Sequence, residues 1–166
     1  MTDTLRSICE QCSQLNAPQL DFVPPALTRH KEIIRRDLRE LVIAASNELD
    51  RSAVLLAGIL LESVLFSFLR GQEPYMSAIR GAPFVFDPEM SLQNYKEIFN
   101  RYFGRAIPGS QLPDLIVDYR DTIHINRELQ EPEDLLPRAS REMLRILDKL
   151  LTDLAGFVAP AVQSTP

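Results

Sequence analysis

Arg120 and His124 stand four residues apart, with Asp121 between them and Arg127 one turn further on. On a helix, residues at that spacing lie one above the other, so a guanidinium and an imidazole can reach the same point. Histidine moves a proton near neutral pH. Arginine grips a phosphate through two parallel hydrogen bonds and steadies the negative charge that builds as the ester breaks. The pair therefore suits cleavage of a phosphodiester. The competing reading is a solvated flank, because arginine, aspartate and histidine mostly stand at protein surfaces.

A second residue of interest is Glu62, which sits inside the most apolar stretch of the chain, Arg51–Leu69. That stretch is too long for a strand and rich in alanine and leucine, so it is expected to be a helix. Apolar residues occur on nearly every side of it, and neighbours should cover it all round. At about 100° per residue, Arg51, Leu55, Gly58, Glu62, Leu65 and Leu69 share one stripe, with Gly58 leaving a gap beside the carboxylate. A carboxylate in such company needs a cation or hydrogen-bond donor, or else takes up a proton. A membrane span is the rival account. Glu62, Ser63 and Ser67 interrupt the run, and its apolar length falls short of the ~20 residues a bilayer needs.

Other candidates are weaker. Cys9 and Cys12 form a CxxC, but structural zinc wants four ligands and a thioredoxin-like pair wants a βαβ context. His30 lies beyond two prolines and adds little to them. Leu5, Ile8, Cys9, Cys12 and Leu15 keep helical spacing, so a short helix explains the cysteines without metal or redox chemistry. Leu92, Tyr95, Phe99 and Tyr102 interleave with Lys96, Arg101 and Arg105. Aromatics among cations can stack bases, yet core with a charged rim is the commoner arrangement.

These residues must be held by a scaffold of helices. A chain of 166 residues suits one domain, and 45% hydrophobic with 25% charged residues is an ordinary globular balance. A net charge of −5 offers no global basic field, so any nucleic-acid binding must rest on a local cluster. No signal or lipidation pattern opens the chain, so the expected setting is cytoplasmic, without a membrane. Residues 1–24 read as a short helix and tether, 25–158 as a helical bundle, and 159–166 as a frayed tail. Helices are expected over about 26–47, 51–69, 88–103, 110–128 and 133–158. Ser46 or Asn47 would cap the second, and Gly71 would end it. Asp87-Pro88 would open the third, and residues 71–87 would form an irregular link with one helical turn in it. Leu112, Ile116, Tyr119 and Ile123 give the fourth its buried face. Leu136, Met143, Leu147, Leu150, Leu154 and Phe157 give the last its seam. The fold class is all-α, an antiparallel up-and-down bundle of four to five main helices.

The segment AVLLAGILLESVL, followed some way on by DYRDTIH, resembles the HEPN superfamily, whose members are helical bundles and in many cases metal-independent ribonucleases. The resemblance spans about Arg29 to Leu154 and is carried by Leu60-Leu61-Glu62 and Arg120-Asp121-x-x-His124. It implies that His124 acts on an attacking 2′-hydroxyl and that Arg120 binds the scissile phosphate. Asp121 would orient the site, and Glu62 would position the arginine from the facing helix. It also implies a homodimer and no cofactor or metal. The gap between Arg120 and His124 is shorter than the family's motif usually has. Arg120, Arg127, Arg101 and Arg105 would supply a local cation cluster for RNA in a dimer cleft. Such a nuclease suits a toxin or defence effector, with a partner protein or antitoxin in view. A non-catalytic interaction module, in which Arg120 and His124 form a polar clasp on Glu62, is the alternative. A nucleotide or small-ligand binder is a third reading.

Overall fold

The structure is a computed structural model. It describes residues 20–87, 90–107, 111–121, 135–155 and 157, with Arg120 and Asp121 described as backbone only. Among them are six α-helices and no strand, so the chain is an all-α bundle, as expected.

A turn of 3-10 helix over Pro25–Leu27 leads into α1, Thr28–Ser46. The Thr28 hydroxyl donates to the Pro25 carbonyl at 2.9 Å. Along α1, Ile34, Leu38, Leu41 and Ala44 are buried, while Arg36, Arg39 and Glu40 face solvent. Asp37 is buried against α1's own Arg36, whose Nε donates to it at 2.7 Å. Leu49 is exposed in the reversing turn.

That turn, Asn47 to Leu49, also corrects the expected cap. The Asn47 side chain donates back to the Ile43 carbonyl at 2.8 Å, closing α1. Leu49 occupies the cap position of α2, Asp50–Gly71, without a side-chain bond. Asparagine was drawn to the unpaired carbonyls behind it, which a helix end always offers.

The other helices pack around α2. Contacts join it to α1 and α3, to α4 and α5, and to α6, whose ranges are given below. At 22 residues it is long and apolar enough to cross a membrane by length and composition, so the expected shortfall in length does not hold. Ala53, Ala57, Leu60, Leu61, Val64, Leu65, Phe68 and Leu69 are fully buried. Coverage is incomplete, however. Leu55 and Ile59 stay 42% and 40% exposed, because no described helix lies over that side.

Residues 71–87 were expected to be irregular apart from one helical turn. They contain instead an eight-residue helix, α3, Glu73–Arg80, with Pro74 in its first turn, where proline costs no hydrogen bond. The two nearby glycines end their helices in different ways. Gly81, at φ +70°, ends α3 in the left-handed conformation glycine favours. Gly71 is the last residue of α2, and a Cβ there would meet the Phe22 carbonyl at 3.3 Å and Pro24 at 3.2 Å. It is small to let the preceding segment cross. Leu20 and Val23 of that segment, expected in a tether, are buried in the core.

α4 spans Leu92–Phe103 and starts later than Asp87-Pro88 implied. Ser91 caps it, accepting from the Asn94 amide while the Asn94 side chain accepts from the Ser91 amide. Its aromatics are core, as the commoner arrangement predicts. Tyr95, Phe99 and Phe103 are buried, and Phe68 of α2 meets Phe22, Phe99, Phe103 and Phe157 in edge-on contacts.

The link from α4 to α5, Leu115–Asp121, is pinned twice. Asn100 donates to the Leu112 carbonyl and accepts from the Leu112 amide, both at 2.9 Å. Lys96, 2% exposed, pairs its ammonium with Asp114. The chain closes on α6, Leu135–Ala155, whose seam is Leu135, Ala139, Met143, Leu147, Leu150 and Leu154. The seam enters through Leu135, with Leu136 half-buried beside it.

Candidate functional site

On α2, the residues Ile59, Glu62, Ser63 and Phe66 follow the i, i+3, i+4, i+7 spacing of a single helical face. They line an open cleft of about 350 Å³, completed by His30 from α1 and Tyr95 from α4. That volume lies within the range small-molecule sites occupy.

Aromatic rings build one wall. The His30 imidazole stacks on Phe66 with centroids 5.1 Å apart and planes 30° off parallel. Tyr95 and Phe86 each meet Phe66 edge-on, at 6.0 and 6.4 Å. Phe86 arrives there on the segment after α3, which is held where the Phe84 amide donates to Ser77 Oγ at 2.9 Å. Arg70, paired with Glu73, lies 5.5 Å over the Phe86 ring.

Electrostatics ties these groups together. Burial, then the Glu62 charge and then that of Asp87, push the Tyr95 phenol above its ordinary range, with Arg70 opposing. Tyr95 therefore stays protonated and can donate. Glu62 is half-buried, with its carboxylate at the cleft and a partner of its own. The cleft thus combines a carboxylate, two hydroxyls, an imidazole and a stacked aromatic face.

Of the residues selected from sequence, Glu62 is in this cleft. Arg120 and Asp121 belong to α5, which packs against α2, and their side chains fall outside the description. His124, Arg127, Ile123, Cys9 and Cys12 lie outside the described residues. Arg101 and Arg105 are exposed and do not line the Glu62 cleft. Arg101 lines a separate hollow of about 500 Å³ with Gln93, Asn94, Glu97 and Asp114. An arginine cluster including both of them at Glu62 is therefore not formed within the chain.

His30, Ser63, Phe66 and Tyr95 were missed as site residues. The signal for His30 was present in the spacing. His30 and Phe66 stand eighteen residues to either side of Glu48, the centre of the α1–α2 turn. In an antiparallel helix pair, residues equidistant from the turn face each other, because both helices rise equally per residue. Compared with protein-family models, curated proteins and solved structures, the chain matches none of them.

Proposed function

We propose that the chain is a HEPN-like, metal-independent endoribonuclease whose site is centred on the α2–α5 contact. The observation that supports this most is that contact itself: the helix bearing Arg120 and Asp121 packs on the helix bearing Glu62, and Glu62 faces an open cleft. In this reading Arg120 holds the scissile phosphate and Glu62 orients the guanidinium. His124 takes the proton from the ribose 2′-hydroxyl. The 2′-oxygen then bonds to phosphorus as the bond to the 5′-oxygen breaks, leaving a 2′,3′-cyclic phosphate and a 5′-hydroxyl. That oxygen takes its proton from water or a returning acid. A homodimer would bring two such sites together, and a partner protein could restrain them.

The experiment is cleavage of single-stranded RNA in EDTA. The wild type is expected to cut, and His124→Ala and Arg120→Ala each to abolish cutting with the melting temperature nearly unchanged. No cutting by pure wild type in EDTA overturns the reading.

A second reading draws on Leu55 and Ile59, an exposed apolar pair of which Ile59 lines the cleft. In it the chain is a non-catalytic interaction module, with Arg120 and His124 a structural clasp on Glu62. Arg120→Ala would then cost stability of the order lost when a buried pair is broken, about 3–5 kcal/mol.

A further inference from the structure

We propose that the cleft between α1, α2 and α4 is a guanine subsite, taking one unstacked guanine of single-stranded RNA with its ring on the His30–Phe66 wall and its Watson–Crick edge on Glu62. The inference rests on the nuclease reading only for what the base is attached to. The cleft's own side chains select the base.

Unpaired bases are held by stacking on aromatic rings and by hydrogen bonds to their edges. The wall supplies the first requirement through two rings 5.1 Å apart, of which Phe66 is braced edge-on by Tyr95 and Phe86. Which base fits is decided by the polar groups. An ionised carboxylate only accepts, and its two oxygens form a fork. Guanine alone offers two adjacent donors, N1–H and the N2 amino group, to such a fork. Adenine and cytosine offer one amino group beside an acceptor, and uracil flanks its single donor with two carbonyls. The O6 beside guanine N1 then needs a donor. Ser63 and the protonated Tyr95 phenol both line the cleft and provide hydroxyls. A partner already on Glu62 does not block this, since a carboxylate has about four acceptor sites.

The test is binding of GMP, AMP, CMP and UMP to the full chain, followed by titration. GMP is expected to bind at least about tenfold tighter than the other three, the discrimination a good bidentate contact provides. Glu62→Gln, which replaces one acceptor by a donor, should bring the ratio of GMP to AMP affinity to about one, whatever happens to the affinity common to all four nucleotides. His30→Ala should weaken all four and keep their order. Equal binding of the four, no binding, or an unchanged GMP-to-AMP ratio in Glu62→Gln would overturn the proposal. A pentanucleotide with a central guanine in an adenine background should outcompete the all-adenine one. Selective GMP binding without that difference overturns RNA as the source. Selective binding by a wild type that cuts nothing would leave this subsite standing and remove the nuclease. Cutting without guanine preference would do the reverse.

Discussion

Phe66 and Phe68 stand two residues apart on α2, and their surroundings are opposite in kind. A helix turns about 100° per residue, so the two rings project about 200° apart. Phe68 is fully buried among Phe22, Phe99, Phe103 and Phe157. Phe66 is half-buried, with the polar groups of the cleft around it. One helix thus serves as the centre of a packed core on one side and as the floor of a cleft on the other. The side that meets solvent keeps Leu55, Ile59 and Phe66 as well as Glu62 and Ser63. Greasiness alone therefore does not distinguish the two faces.

The sharpest test of that contrast is truncation. Phe68→Ala should cost about 3–5 kcal/mol in chemical denaturation, because the aromatic cluster leaves a cavity it cannot fill. Phe66→Ala should cost less than half as much, since its ring is already open to water. Equal losses would mean the cleft is packed like the core.

Next in size is Asn100→Ala. It removes both bonds to Leu112 and leaves that residue's amide and carbonyl to find other partners, a loss of about 1–3 kcal/mol. The same change loosens the entry to α5, so RNA cutting should fall with stability if α5 carries the site.

Ile59→Ser, on the open face, should move stability by no more than about 0.5 kcal/mol. A larger loss would place a packing partner over that face.

The smallest effect is on pH dependence. The Tyr95 phenol titrates above its ordinary value in the folded chain, chiefly through burial and then through Glu62 and Asp87. The folded state therefore favours the protonated form. That contribution is complete below the unfolded value, about 10, and is lost as pH rises through the higher folded one. Tyr95→Phe should flatten the fall in stability above pH ~10, measured by denaturation at stepped pH. An unchanged slope would mean that the phenol gains nothing from its surroundings.

Much of the scaffold was legible along the chain. The long apolar segment announced α2, and the seam from Met143 to Leu154 announced α6. Ends were harder to read. Ser91 displaced Asp87 as a cap because its partner Asn94 made the bond reciprocal. Gly71 ends α2 as expected, though without the positive φ that Gly81 adopts at the end of α3. The helix after Gly71 is longer than the single turn expected, because two prolines and two glycines in seventeen residues resemble a loop, although Pro74 falls where a helix tolerates it.

The candidate site divides the same way. Glu62 could be singled out from the sequence, because a lone carboxylate in an apolar run demands a partner wherever the chain folds. His30 could be paired with Phe66 only by counting from the α1–α2 turn, and Tyr95 not at all, because each is unremarkable within its own helix and becomes part of a cleft only when α1 and α4 pack against α2. Local spacing and hydrophobicity determined which segments are helices and which of their faces turn inward. Only the packing of those helices decided that an imidazole, a phenol and a carboxylate from three separate segments share one opening, since that depends on turn register and crossing, which no single segment contains.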